Sequence, residues 1–192
     1  MRLIIMGPQL AGKGTQAGYI AKEYGLMHIT TGGILRDMYA NGTSDMKAKL
    51  EPIVHGGKLL SDEEMNPIVA EYLDKHPDRF ILDGFPRTVP QVRFLDTYLK
   101  SRNSSIDAVI FLDVPHKELM NRLKTRIHEE NRKDDENPDA LKKRMKQYET
   151  MTLPAIELYR KEGILMDING IQIREAVFAE IKRELAKKKL PH

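Results

Sequence analysis

Apolar residues gather in short runs at Arg2 to Met6, Arg79 to Leu82, Ala108 to Leu112 and Ile164 to Ile168, and after each run and a turn comes a helical pattern. Alternating strand and helix of this kind implies an α/β fold, a parallel sheet flanked by helices on both faces. A further short strand is expected to end at His28. Helix starts are legible too: the first helix should run to about Tyr24, Ser61 with Glu64 has the form of a capping box, and Asn137-Pro138 reads as an N-cap followed by proline at the first helical position. Two stretches stand outside the alternation, the Gly- and Lys-rich Thr31 to Leu60 and the charged His128 to Asn137. They read as inserts over the ends of the sheet.

With 192 residues the chain fits one domain. Hydrophobic residues make up 41% and charged residues 31%, and no run approaches the roughly eighteen apolar residues a membrane helix needs. A soluble, cytoplasmic protein is therefore expected, with monomer as the default state. The run from Met1 to Met6 is too short for a secretory signal and leads straight into a glycine loop, so it reads as a buried strand. The absence of cysteine excludes disulfides and thiolate metal sites. A net charge of +3 is spread among interspersed acids and bases, which argues against a nucleic-acid partner. Lys187, Lys188 and Lys189 read as a solvated helix end, where the helix dipole favours cations.

The strongest chemical signal follows the first strand. Gly7-Pro8-Gln9-Leu10-Ala11-Gly12-Lys13-Gly14-Thr15 has the spacing of a phosphate loop, with a strand before it and a helix after it. Glycines let the backbone wrap an anion, amide N–H groups point at its oxygens, and Lys13 reaches the transferring phosphoryl group. Gly14 follows Lys13 where many phosphate-loop proteins carry a metal-ligating hydroxyl, and Thr15 comes one position later. Mg²⁺ is then held mainly by phosphates and waters, which points to kinases rather than to GTPases or motor ATPases.

Together with Lys13-Gly14-Thr15-Gln16, the segments Thr31-Gly32, Asp83-Gly84-Phe85-Pro86-Arg87-Thr88, Pro90-Gln91 and Arg132-Lys133-Asp134-Asp135 give a sequence that resembles the adenylate kinases over nearly its whole length. The resemblance implies one phosphate-loop kinase domain with a core at residues 1–29, 61–125 and 145–192, an insert at 30–60 that binds the nucleoside monophosphate, and a short lid at 126–144. It implies reversible, Mg²⁺-dependent transfer, ATP + AMP to 2 ADP, with no zinc. Lid closure would exclude water, a competing acceptor. A pyrimidine or broad-specificity monophosphate kinase is the nearest alternative, and a weakly active nucleotide sensor a more distant one. Thr88 and Pro90-Gln91 favour adenine.

Carried over residue by residue, the resemblance implies that Gly12, Lys13, Gly14, Thr15 and Gln16 hold ATP together with Arg122, Arg126 and Gly170. It puts Thr31, Arg36, Lys58, Leu60, Gly84, Arg87 and Gln91 around AMP, with Gln91 at the adenine edge. Lys13, Arg87, Arg126, Arg132 and Arg144 would be the catalytic cations, and Asp83 would orient Mg²⁺-bound water. Two nucleotides bring roughly six negative charges into one cleft, and transfer between them depends on positioning and charge neutralisation. Arginine suits this because its planar fork grips two oxygens and keeps its charge when dehydrated. In the lid, the family's R-x-D-D pattern laid on Arg132 leaves Glu136 as an extra loop residue, whereas anchoring it on Asn137-Pro138 puts Lys133 in the arginine's place. A loop insertion is the lesser change, so Arg132 is the choice.

Three features depart from the family. Gln9-Leu10 replaces the usual Pro-Gly, so the loop either takes another path or holds a leucine at positive φ, a strain of about 1–2 kcal/mol. Gly33 stands in place of an aspartate near the metal's water shell, and Asn169 in place of an aspartate before Gly170. Asp113 admits two readings, a second orienter of metal-bound water or the cap of the next helix. The cap is the expectation. His128 is expected on the lid surface.

Overall fold

The computed structural model describes residues 1–56, 58, 60–129 and 138–188, with side chains omitted at 124–129 and 138–141. Five parallel strands, β1 (Arg2–Met6), β2 (Met27–Thr30), β3 (Phe80–Asp83), β4 (Ala108–Asp113) and β5 (Leu165–Asn169), form one sheet in the order β2-β3-β1-β4-β5. The helices are α1 (Lys13–Tyr24), α2 (Thr31–Asn41), α3 (Ser44–Val54), α4 (Asp62–Lys75), α5 (Val89–Lys100), α6 (His116–Glu129), α7 (Pro138–Gln147), α8 (Leu153–Lys161) and α9 (Arg174–Lys187). A π-helical turn, Tyr148–Thr152, joins α7 to α8.

The apolar runs form strands because side chains alternate across the sheet and both faces are covered. Ile4 and Met6 of β1 face a core shared with Val69, Val92 and Tyr159 from α4, α5 and α8. Leu3 and Ile5 face the opposite core, with Ala17, Leu119 and Ile181 from α1, α6 and α9. The chain leaves the two flanks of β1 in opposite directions, toward β3 and toward β4. The crevice at its carboxyl end is thus the switch point where open α/β sheets bind ligands.

Pairing moves several expected ends by one or two residues. Arg79 lies outside β3, its carbonyl accepting the Met27 N–H at 2.9 Å, and Asp83 lies inside, paired with Ile5 and Thr30. His28 sits within β2 rather than at its end, because register with β3 carries the strand on to Thr30. Asp113 is not the cap of the following helix: β4 continues through it, paired with Asn169, and the first turn of α6 folds back instead onto the Pro115 carbonyl. The Ser61–Glu64 capping box is present in both directions. The stretch from Thr31 contains two helices, α2 and α3. Asn137, His128's side chain and Lys189 fall outside the described residues, whereas Lys187 bonds Glu184 and Lys188 reaches the Gly163 carbonyl at 3.2 Å, as a solvated helix end would. Among the described residues no helix is long and apolar enough to cross a membrane.

Candidate active site

Three clefts meet at the carboxyl end of β1. One, of about 810 Å³, is lined by Thr31, Arg36, Lys58, Leu60, Gly84, Arg87 and Gln91, all seven residues expected around the acceptor. A second, of about 2050 Å³, is lined by Gly12 through Gln16, Asp83, Arg122 and Gly170, the expected donor side. Between them a smaller space is walled by Lys13, Gly84, Arg87, Arg144 and Tyr148. Gln9 lines all three and Arg36 lines the two outer ones, so the clefts form one trough. Arg126 has no described side chain, and Arg132 and Lys133 lie outside the described residues, as does the choice between them.

The phosphate loop owes its shape to close packing and to one strained residue. A Cβ on Gly7, at φ 145°, would stand 2.8 Å from the Leu112 carbonyl oxygen, so only glycine lets the loop leave β1 there. Leu10 takes φ 68°, the strained alternative rather than a new path, and its side chain packs on the core beneath α1. Arg122 ties the loop down: its guanidinium donates to the carbonyls of Ala11 at 3.2 Å and Gly170 at 2.6 Å, and to Glu118 at 3.0 Å. Gly170 must be glycine because a Cβ would run into Val114. At the start of α1 the first helical bond is Gln16 N–H to Gly12 O, which leaves the amides of residues 13–15 without intrahelical acceptors. Such amides are a ready site for an anion.

Lys13 rests with its ammonium on the Gly7 and Pro8 carbonyls, at 2.9 and 2.7 Å. Burial draws its pKa down to about 8, against the pull of Asp83, and Arg87 adds to the lowering. Arg87 is likewise lowered by burial, opposed by Asp83 and furthered by Arg144. Cations held in a dehydrated cleft with this little negative charge are stabilised by any polyphosphate that enters.

The acceptor side is a network of side chains. Gly84, at φ 87°, offers its carbonyl to the Thr31 hydroxyl at 3.1 Å and to Arg87 Nε at 2.7 Å, which joins α2 to the turn after β3. Thr88 caps α5, accepting the Gln91 N–H at 3.2 Å. The Gln91 amide is held at both ends, its Oε1 accepting the Arg87 N–H at 2.7 Å and its Nε2 donating to Asp62 at 2.7 Å.

Sequence reasoning missed Asp62, which reads as an ordinary first-turn acid of α4, and the lining residues Gln9 and Tyr148. The Tyr148 hydroxyl is pushed up to about 12, chiefly by burial and then by Asp113. Ile173 was also missed; 73% exposed, it lines the donor cleft along with Arg122, and its signal was an apolar residue just before a helix start. Asn169 accepts the Ile171 N–H at 3.1 Å, the local turn bond an aspartate would also make.

A metal fits here only loosely. No group of three or more histidine or carboxylate side chains could hold an ion among the described residues. Asp83 lies at the end of β3 with its Oδ2 3.5 Å from where a Gly14 Cβ would stand and 3.6 Å from His28 Nε2, and Thr15 is exposed on the first turn of α1. One carboxylate and one hydroxyl suit water-mediated contact to an ion that arrives on phosphates.

The adenylate kinase family model matches residues 5–164 of the chain. Curated relatives named adenylate kinase from Brucella anthropi, Brucella ovis and Brucella canis are each 42% identical over 193 aligned positions, covering 96% of this chain and 98% of theirs.

Proposed function

This chain belongs to the adenylate kinase family, and we infer that it transfers the terminal phosphoryl group of Mg²⁺-bound ATP to AMP, giving two ADP, at the trough described above. The observation that carries the reading is the junction: Lys13, Arg87 and Arg144 line the cavity between an acceptor cleft and a phosphate-loop cleft, where the transferred group must pass. Donor triphosphate lies on the amides of residues 13–15, and its adenine lies between Arg122 and the exposed Ile173. The acceptor's phosphate meets Arg36 and Arg87, and its base meets Gln91. Lys58 and Leu60 border that site.

In transfer, an acceptor phosphate oxygen forms a bond to the γ-phosphorus while the bond from that phosphorus to the bridging oxygen breaks, and ADP leaves. The attacking group is already an oxyanion, so no general base is needed. Lys13 and the arginines balance charge on the equatorial oxygens. When bound, Mg²⁺ would supply neutralising charge to the donor phosphates, and Asp83 would be the residue that orients its water. The family resemblance supports a further role for Arg126 and Arg132 as cations of a lid at 126–144, and for residues 30–60 as the acceptor-side insert.

The test is a panel of acceptors with ATP as donor, read by ADP formation. AMP should exceed CMP and UMP in kcat/KM by at least about tenfold, because a pyrimidine leaves the Gln91 amide unpaired in a buried site. Equal values for AMP and CMP would place the chain among the broad-specificity monophosphate kinases.

A further inference from the structure

Gln91 is only 5% exposed, and each end of its amide has a partner of fixed character. The Arg87 backbone N–H can only donate, so it demands the oxygen; the Asp62 carboxylate can only accept, so it demands the nitrogen. The other Asp62 oxygen accepts the Thr88 hydroxyl at 2.9 Å, and Thr88, itself 5% exposed, accepts the Gln91 backbone N–H. A single side chain at the first residue of α4 thus braces the cap of α5 and, with the Arg87 N–H at the other end, the polarity of the amide in its first turn. Asp62 is not in the wall of the acceptor cleft, whereas Gln91 is.

After these bonds, the amide retains one N–H and one oxygen lone pair. A 6-aminopurine presents a ring acceptor, N1, beside a donor, its exocyclic amine. A 6-oxopurine presents the reverse, N1–H beside O6. We propose that Asp62 is a positioning residue for acceptor choice: by holding Gln91 in one polarity it makes the acceptor site favour a 6-aminopurine monophosphate over a 6-oxopurine one. The proposal rests on the reading above that Gln91 faces the acceptor base.

Asp62→Asn is the sharpest test, since it keeps shape and can keep both hydrogen bonds, yet an amide can turn either end toward Gln91 and leaves the Arg87 N–H alone to hold the polarity. The ratio of kcat/KM for AMP to that for IMP should fall by at least about fivefold in Asp62→Asn, with the thermal midpoint near wild type. In Asp62→Ala the same ratio should fall by about tenfold or more, chiefly through KM for AMP. Gln91→Ala should collapse the ratio, and adding Asp62→Ala to it should change the ratio no further, because Asp62 acts through Gln91. If both Asp62 variants keep the ratio within about twofold of wild type while Gln91→Ala collapses it, the assignment of Asp62 is overturned. A ratio that Gln91→Ala leaves unchanged overturns it as well, and with it the placement of Gln91 at the base. Should Asp62→Ala prove too unstable to assay, the isosteric Asn variant alone decides.

Discussion

The two sides of the trough are built by different means. On the acceptor side, Thr31, Gly84, Arg87, Thr88, Gln91 and Asp62 bond one another, so the polar groups that meet a ligand are already oriented. The donor side is mostly backbone: a loop bent around glycines and a strained Leu10, helix-start amides with no partner in the helix, and a lysine lying on the carbonyls of its own loop. Side-chain networks choose between ligands because a wrong ligand leaves buried groups unpaired. Backbone amides and a cation accept any polyphosphate and work chiefly through charge. The division suits the reaction, in which the acceptor must be selected and the donor's phosphates must be stabilised as bonds change.

Replacing Lys13 breaks the donor side most severely. Lys13→Met should lower kcat by about two to three orders of magnitude, as loss of one transition-state cation does. The thermal midpoint should not fall, since an apolar side chain replaces a cation that burial already disfavours. Steady-state turnover and a thermal melt together check this; turnover within about threefold of wild type would remove Lys13 from the chemistry. The acceptor side should break differently. An alanine Cβ at position 84 would stand 2.5 Å from Thr31 Oγ1, at a φ of 87° that L residues avoid. Gly84→Ala should therefore cost about 2–4 kcal/mol of stability, measured by denaturant unfolding. KM for AMP should rise by at least about tenfold while KM for ATP moves little, and equal rises in both would deny that the two sides are separate.

This contrast also explains what the sequence disclosed. The donor side is local: strand, loop and helix are contiguous from Arg2 to Tyr24, so spacing alone identified them. Leu10 at positive φ was one of two outcomes that the departure from the family's usual Pro-Gly at Gln9-Leu10 left open, and only the structure chose between them. The acceptor side joins elements far apart in sequence. Asp62 and Gln91 are 29 positions apart, and nothing in Ser61-Asp62-Glu63-Glu64 distinguishes an acid that favours the helix dipole from one that orients a distant amide. Asp113 was misread because its fate depends on pairing with Asn169 in β5, and register is a property of the assembled sheet. Helix α2 begins Thr-Gly-Gly, a poor helical start by propensity, and packing against α3 and β2 supplies what the local sequence lacks.

The smallest effect expected is in pH, and it should belong to the donor side alone. In the free protein Lys13 titrates at about 8, because burial disfavours its charge. For folding, its folded pKa lies below the unfolded value near 10.4, so the unfolded chain binds more protons between the two. Its contribution to stability therefore rises with pH across about 8 to 10.4. For donor binding the sign is opposite. Polyphosphate beside the ammonium favours the charged form and raises its pKa in the complex, so binding above pH 8 takes up a proton and weakens as pH climbs. The dissociation constant for ATP should rise by a few-fold, and by at most about tenfold per pH unit, between pH 8 and 9.5. The γ-phosphate of ATP is already ionised there. Calorimetry in buffers of different ionisation heat should register the proton uptake directly, and Lys13→Met should abolish both the uptake and the slope. AMP binding, which does not rest on Lys13, should be flat over the same range, and a parallel rise for AMP would assign the titration to a group both clefts share.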